Sequence, residues 1–159
     1  MAETPVVRAG READAAALAE LGRAVVPATY GPISEAEAVR TLETWWSEDA
    51  LAESLRRIPH WVAEDADGRL VGISNLGSRG ERRVMWKLYV HPDHHGRGIG
   101  SRLLAEVEAR VEGDELWLEV VDGNEQAFGF YRARGFEEQE RTPDDGPWPD
   151  DVWMMKVLR

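Results

Sequence analysis

Three glycines at alternate positions, Gly96, Gly98 and Gly100, form the most informative local pattern in this chain of 159 residues. They follow an apolar segment and a short loop, and they precede an amphipathic segment, which predicts a strand-to-helix turn. Glycine lets the backbone approach a ligand closely, and the start of a helix offers unpaired N–H groups at its positive end. The pattern therefore predicts a site for the phosphate groups of a ligand.

The distribution of charge also favours an anion site. Residues 79–102 include six basic and two acidic side chains, whereas the whole chain has a net charge of −11. A protein this acidic does not suit a broad nucleic-acid or anionic-membrane surface, so we expect a small ligand. The sequence contains no cysteine, which excludes disulfides, thiolate zinc sites and an acyl-cysteine intermediate.

Two common phosphate-binding motifs fit the glycines poorly. A P-loop needs a lysine after its last glycine, and none follows Gly100. A dinucleotide-binding loop needs Gly-x-Gly-x-x-Gly directly after a strand, whereas a proline-containing loop separates Val90 from Gly96. Glu119 or Asp122 could serve as the ribose-binding acid, so a nucleotide-binding oxidoreductase domain remains an alternative.

Hydrophobic spacing predicts the elements that must position this loop. Apolar alternation predicts a strand over 84–90, and Ile99, Leu103, Val107 and Val111 predict a helix to about residue 111. The remaining predictions are strands at 6–7, 60–64, 70–76, 116–121, 136–142 and 152–158, and helices at 12–25, 34–46 (with an extension to 55) and 124–134. This order indicates a single α/β (α+β) domain over 1–159, built on a mixed sheet.

At residues 88–100 the sequence resembles the coenzyme A-binding motif of the GNAT N-acetyltransferase superfamily. The family pattern, [Gln/Arg]-x-x-Gly-x-[Gly/Ala], is met from His95 to Gly100, with His95 as a departure at the first position. A second motif, Asn-x-x-Ala-x-x-Phe-Tyr-x-x-x-Gly-Phe, begins at Asn124 and ends at Phe136. The resemblance covers residues 60–158 well and residues 1–59 only in the order of elements.

The resemblance implies a fold and a donor substrate. The fold is a central, mostly antiparallel sheet of about six or seven strands with about four flanking helices, splayed at the strand before the glycine loop. Coenzyme A lies in that gap in the family, so acetyl-CoA is the expected acyl donor. The implied coenzyme-binding residues are Leu88, Tyr89, Val90, His95, Gly96, Arg97, Gly98, Ile99, Gly100, Ser101, Asn124 and Phe128.

The resemblance also implies acetyl transfer to a primary amine by direct attack in a ternary complex. Tyr131 is the predicted general acid, because a phenol is a suitable proton donor to a departing thiolate. The amine needs a base, and residues 84–87 contain no carboxylate, so Glu119 is the candidate, with Glu81 behind it. A GNAT-fold module that binds coenzyme A without turnover is the alternative.

The acceptor is expected to be a small-molecule or peptide amine. Trp45, Trp46 and Trp148, together with the acids of the loop (Asp144, Asp145, Asp150 and Asp151), would suit a cationic amine. Core packing or a homodimer contact is the alternative role for the tryptophans.

The remaining expectations concern metal and location. His91, His94 and His95 lie close together with Asp93, but the resemblance gives this turn to the coenzyme, so no metal is expected. Residues 1–10 lack a basic stretch followed by an apolar core, and we expect a cytoplasmic protein without nucleic-acid or membrane partners.

Overall fold

The computed structural model describes residues 4–144, 146 and 148–159. Asp145, which sequence analysis grouped with the acidic loop, lies outside the described residues. Five α-helices form within the described ranges, and none is both long and apolar enough to cross a bilayer. The helices are α1 (Ala15–Tyr30), α2 (Glu35–Trp45), α3 (Glu48–Arg57), α4 (Ile99–Arg110) and α5 (Glu125–Ala133).

Nine strands form two sheets in the described part of the chain. The strands are β1 (Val6–Ala9), β2 (His60–Glu64), β3 (Leu70–Asn75), β4 (Gly77–Arg79), β5 (Arg82–Val84), β6 (Leu88–Val90), β7 (Glu115–Val121), β8 (Glu137–Thr142) and β9 (Asp151–Val157). The four-stranded sheet has the order β1-β2-β3-β6, and the five-stranded sheet has the order β4-β5-β7-β9-β8. Only the pairing of β5 with β7 is parallel among these, which confirms the predicted mixed, mostly antiparallel fold.

The predicted continuous strand over 84–90 is wrong, because the chain divides there between the two sheets. Val84 pairs with Trp117 of β7, whereas β6 pairs with β3. Regular apolar alternation gives no sign of this break, since both halves are pleated and partly buried. No strand pairing joins β6 to β7 in the part of the chain that the model describes, so the sheet is splayed at this point, as predicted.

The two faces of β7 have different surroundings. Leu116, Leu118 and Val120 are buried in the core under α4 and α5. Trp117 and Glu119 alternate with them and lie on the opposite face of the strand. A second core joins α1, α2 and α3 to the four-stranded sheet, so helices cover the sheets from both sides.

The helices before β2 depart from their predictions at two points. α1 continues past the predicted end near residue 25, through Pro27, and ends only at Tyr30. The predicted helix over 34–46 forms as α2. Its extension to residue 55 is instead a separate helix, because the Ser47 side chain accepts a hydrogen bond from the Ala50 N–H (3.1 Å) and begins α3. These changes place Tyr30 and Trp46 beside the splayed strands.

Two helical glycines give a matched test of this packing. A Cβ added at Gly22 of α1 would lie 2.4 Å from Cε3 of Trp46, a side chain that is only 3% exposed. We predict that Gly22→Ala destabilises the protein by about 1–3 kcal/mol through overpacking. At Gly129 of α5 a Cβ meets no atom within 4 Å among the described residues, so Gly129→Ala should stabilise by about 0.5–1 kcal/mol. Urea unfolding measures both, and equal effects would contradict the described contact between α1 and Trp46.

Candidate active site

A cavity of about 320 Å³ lies where the two sheets separate. β6 and β7 form its facing walls, and the loop before α4 together with α5 completes it. Both predicted catalytic residues line it, as do all but two of the predicted coenzyme-binding residues: Leu88, Tyr89, Val90, His95, Gly96, Gly98, Ile99, Gly100, Ser101, Asn124, Glu119 and Tyr131. The splayed sheet therefore brings most of the predicted site to one space.

The backbone of β6 presents polar groups to this cavity. The carbonyl of Lys87 and the N–H of His91 both form hydrogen bonds with β3 (3.2 and 2.8 Å). Alternate residues of an antiparallel strand bond the same neighbour, so Tyr89 also faces β3. The backbone groups of Leu88 and Val90 consequently face the open side, where an extended ligand could take the place of a strand.

The glycine loop forms a backbone cradle at one end of the cavity. Gly96 and Gly98 have φ values of +77° and +79°, a region that favours glycine. The N–H of Arg102 donates to the Gly98 carbonyl (3.1 Å) as the first helical bond, so the three preceding N–H groups have no helical partner. Those groups belong to residues 99–101, at the positive end of α4, and they fit a pyrophosphate.

The two arginines of this segment do not extend the cradle. Arg97 is exposed and does not line the cavity. The guanidinium of Arg102 donates to the carbonyl of Pro5 (2.6 Å), before β1. The cation that reaches the cavity is instead Arg134, whose Nη2 lies 2.7 Å from Oγ of Ser101. Sequence analysis missed Arg134, although its position three residues after Tyr131 places both on one helical face.

His95 has a different role from the one its motif position implied. Its Nε2 lies 2.8 Å from the carbonyl oxygen of Val90. Because a carbonyl only accepts, Nε2 must carry the ring proton of the neutral histidine, which leaves Nδ1 as an acceptor toward Gln126 Nε2 (3.5 Å). The ring thus satisfies the outward-facing carbonyl of Val90, while the N–H of Val90 and the backbone groups of Leu88 still face the open side.

Asn124 and Phe128, the two predicted coenzyme-binding residues of the second motif, lie in different places: Asn124 lines the cavity and Phe128 is buried in the core. The Oδ1 of Asn124 accepts from the N–H of Ala127 (3.2 Å) and caps α5, while the residue also lines the cavity. Cap and ligand contact can therefore coexist, because the amide nitrogen remains a donor. Phe128 is only 3% exposed and packs in the core, and Phe130 is the aromatic residue of α5 that lines the cavity.

Three phenols meet where β6 faces α1 and α5. The hydroxyl oxygens of Tyr30 and Tyr89 are 2.6 Å apart, and both residues line the cavity with Tyr131. Burial, reinforced by the neighbouring phenol of Tyr89, raises the pKa of Tyr131 well above its ordinary value. Tyr131 is therefore fully protonated near neutral pH and can act only as a proton donor until it has transferred that proton.

A second carboxylate, that of Asp151, lies near Glu119 on the neighbouring strand β9. Val121 pairs with Asp151 of β9, so Glu119, two residues earlier on β7, shares a face with Asp151. Burial and the nearby Asp151 carboxylate raise the pKa of Glu119 to about 7, against the opposing effect of Arg79. Burial also raises the pKa of Asp151, with Glu37 adding to the rise. A carboxyl with this pKa exchanges protons readily at neutral pH.

Glu119 also lines a second cavity of about 600 Å³, on the side of α2. The two cavities meet along five shared residues: Tyr30, Trp86, Tyr89, Glu119 and Val121. Trp45, Trp46 and Asp151, which sequence analysis associated with the acceptor, line this second cavity. Glu81, the reserve candidate for the base, is exposed and lines neither cavity.

The histidine cluster shows no metal geometry in the described ranges, where no group of three or more His, Asp or Glu could hold an ion. The rings of His91 and His94 have their centroids 6.1 Å apart. His94 lines the first cavity, and its Nδ1 is buried without a hydrogen-bond partner in the described structure.

A mixed sheet that opens beside a glycine-rich strand-to-helix loop is the arrangement that the resemblance to the GNAT acetyltransferases implied. The family model described as "Acetyltransferase (GNAT) domain" matches residues 56–138. The chain belongs to the GNAT acetyltransferase family and is an acyltransferase. This membership favours the acetyltransferase prediction over the nucleotide-binding oxidoreductase alternative.

Several characterised relatives are similar over most of their length. The N-alpha-acetyltransferase RimI of Mycobacterium tuberculosis is 32% identical over 126 residues, which cover 70% of this chain and 79% of that protein. The L-amino acid N-acyltransferase MnaT of Escherichia coli is 30% identical over 164 residues, covering 96% and 93%. The crystal structure of the PaiA N-acetyltransferase from Thermoplasma acidophilum in complex with coenzyme A superposes with a TM-score of 0.82 at 25% identity, covering 98% and 99%.

The raised pKa of Glu119 gives a signed stability prediction. The ordinary pKa of this carboxyl is 4.5, and in the folded protein it is about 7. Between these two pH values the folded protein retains a proton that the unfolded chain releases. Stability conferred by this site therefore falls as pH rises through that window. We predict that Glu119→Gln matches the wild type at pH 5 and exceeds it at pH 8. The gain should be about 1–2 kcal/mol, since partial solvent exposure weakens the effect.

Urea unfolding at the two pH values measures this difference. The matched control is Glu53→Gln, which removes an exposed carboxyl on α3 that pairs with Arg57 at 3.3 Å. Its difference from the wild type should be the same at both pH values. A Glu119→Gln difference that does not grow with pH would contradict the described burial of Glu119.

Proposed function

We propose that this enzyme transfers the acetyl group of acetyl-CoA to a primary amine by direct attack within a ternary complex. The observation that carries the proposal is the junction of the two cavities, where Glu119 belongs to both and Tyr131 lines the first. A donor in one cavity and an acceptor in the other would meet there without a covalent enzyme intermediate, which suits a chain without cysteine.

The first cavity fits the donor. The free N–H groups at the start of α4 would hold the pyrophosphate, with Arg134 adding positive charge nearby. The outward-facing backbone of Leu88 and the amide of Asn124 would bond the pantetheine arm. When bound, acetyl-CoA supplies an acyl group activated as a thioester.

Glu119 is the proposed base in this mechanism. An alkylamine is mostly protonated at pH 7 and must lose a proton before it can attack. A carboxyl with a pKa near 7 is deprotonated in about half of the molecules at that pH, and it is basic enough to accept the proton. Asp151 is a positioning residue, because its carboxylate contributes to the raised pKa of Glu119.

Tyr131 is the proposed general acid. Its burial keeps the phenol protonated, and the same low-polarity surroundings disfavour a bare thiolate, so proton transfer to sulfur is assisted. The new C–N bond forms at the acetyl carbon as the C–S bond breaks. Of the two protons that the ammonium loses, one replaces the proton given by Tyr131 to sulfur, and the other leaves through Glu119 to solvent.

The names of the relatives indicate acceptors of more than one kind. MnaT is named for L-amino acids, whereas other relatives are peptidyl-lysine N-acetyltransferases, such as YjaB of Salmonella typhimurium, which is 30% identical over 146 residues. Transfer to nitrogen is common to these relatives and supports the amine acceptor in the proposal. The acceptor class must be sought in the residues of the second cavity.

Two variants separate the proposed acid from the proposed base. We predict that Tyr131→Phe lowers kcat about 10²–10⁴-fold at every pH, because the proton donor is absent throughout. We expect the kcat/KM of the wild type to rise with pH around pH 7, and Glu119→Gln should remove that rise because the titrating base is gone. Both should keep the wild-type Kd for acetyl-CoA, and steady-state kinetics from pH 6 to 9 with calorimetry provide the measurements.

Full activity in Tyr131→Phe would contradict the proposed acid. A pH profile for Glu119→Gln that follows the wild type would contradict the proposed base. Loss of acetyl-CoA binding in either variant would show damage to the donor site instead of loss of a proton transfer.

A further inference from the structure

The second cavity contains both signs of charge. Three cations line it, Arg40 from α2, Arg79 from β4 and Lys87 from the break between β5 and β6. Three carboxyl groups also line it: Glu37, Glu119 and Asp151. Sequence analysis expected carboxylates and aromatics to suit a cationic amine, and it did not foresee the three cations. The balance between these groups decides which acceptor the cavity fits.

Two of the three cations already have acidic partners. Arg40 Nη2 lies 2.6 Å from Oε2 of Glu37, a residue that is only 6% exposed. Arg79 Nη1 lies 3.7 Å from Oε1 of Glu119, a long contact that leaves most of the exposed guanidinium free. The charge of Arg40 is thus neutralised within the wall, whereas that of Arg79 is neutralised only in part.

Lys87 has no such partner. Among the residues that the structure describes, no carboxylate oxygen lies within 4.0 Å of its Nζ, which is 5.4 Å from the centroid of the Trp46 ring. Its backbone is held on both sides by Asn75, whose Oδ1 accepts from the Lys87 N–H (2.7 Å) and whose own N–H donates to the Lys87 carbonyl (3.2 Å). The backbone of Lys87 is therefore held beside this cavity, and its ammonium has no carboxylate partner among the described residues.

Burial makes this ammonium costly. Burial lowers the pKa of Lys87 to about 8, so the charged form loses solvation that no carboxylate among the described residues replaces. An anion delivered by a ligand would restore that lost stabilisation. Glu119 and Asp151 lie close together, so the negative charge of one carboxylate disfavours ionisation of the other. The two groups therefore do not readily carry two negative charges against the cations of this cavity. Counted formally, the wall carries three cations and three carboxyl groups, and Lys87 is the cation without an ion pair among the described residues.

We propose that the acceptor is a small primary amine that carries a carboxylate, in the manner of an amino acid. Lys87, with Arg79, binds the carboxylate, and the amine is presented to Glu119 at the junction of the cavities. This inference rests on the proposed function, since it names the acceptor class of the same site. A cavity of about 600 Å³ suits a small molecule, and a lysine side chain within a peptide lacks the carboxylate that Lys87 would bind.

Matched acceptor pairs test the inference. Leucine is compared with isopentylamine, and phenylalanine with phenethylamine, because each pair differs by one carboxylate. We expect the wild type to have a kcat/KM at least about 10-fold higher for the carboxylated member of each pair. Lys87→Met should lower that value about 10- to 100-fold while leaving the simple amines within about 3-fold. The effect of Lys87→Met on the carboxylated member is compared with its effect on the simple amine of the same pair. This comparison cancels the intrinsic reactivity of each amine.

Two further variants control for charge and for folding. Lys87→Arg keeps a cation at the position and should retain the preference for the carboxylated members. Arg23→Met removes an exposed cation of α1 that lines neither cavity, and it should leave both acceptor classes unchanged. Wild-type binding of acetyl-CoA by each variant shows that the donor site and the fold are intact.

Several outcomes would overturn the inference while the proposed function stands. These are equal or better use of the simple amines, an equal loss for both acceptor classes in Lys87→Met, and acetylation of lysine in peptides alone. A protein that binds acetyl-CoA but acetylates no carboxylated amine would overturn it as well. Failure to bind acetyl-CoA would count against the donor site of the proposed function instead.

Discussion

The separation of β6 from β7 is the constraint on which the rest of this structure depends. A strand inside a sheet normally has hydrogen-bond partners on both sides, yet β6 has only β3 as a neighbouring strand in the described structure. The His95 ring satisfies the outward carbonyl of Val90, and the backbone groups of Leu88 remain directed at the cavity. A ligand with amide groups along an extended arm completes this edge as another strand would.

The same separation brings together side chains that a continuous sheet would keep apart. Glu119 lies on one face of β7, whereas the core containing Tyr131 lies against the other. Both nevertheless line one cavity, because no strand fills the space beside β7 at this point. Glu119 also reaches the second cavity, so the two cavities meet at a carboxyl whose pKa is raised to about 7 by burial and the Asp151 carboxylate. In the proposed mechanism, this break in the sheet would provide both the coenzyme site and the route between the substrates.

The fold was largely predictable because its local signals agree with one another. The four-residue spacing of Ile99, Leu103, Val107 and Val111 predicts α4, and Ser34 begins α2 as its capping sequence indicates. The break at residues 85–87 was not predictable from alternation, because a parallel pairing of Val84 with Trp117 depends on residues far away in sequence. Ser47 was an available capping signal that an uninterrupted polar helix pattern concealed.

The parts of the candidate site that lie within sequence motifs were predictable. The parts formed by residues from distant segments of the chain were not. Tyr131 and the glycine loop lie within recognisable motifs, and both line the cavity. Lys87, Arg40 and Asp151 belong to distant parts of the chain that carry no shared pattern, and only the tertiary fold brings them to one cavity. The three cations of the second cavity could therefore not be foreseen from the acidic composition of the chain as a whole.

The most direct test of this account is a calorimetric titration of the wild-type protein with acetyl-CoA, with NAD and ATP as controls. The account predicts a single site for acetyl-CoA with a Kd of about micromolar size and much weaker binding of NAD and ATP, since only acetyl-CoA has a pantetheine arm to complete β6. Absence of acetyl-CoA binding, or equal binding of NAD, would contradict the claim that the gap between β6 and β7 is the donor site.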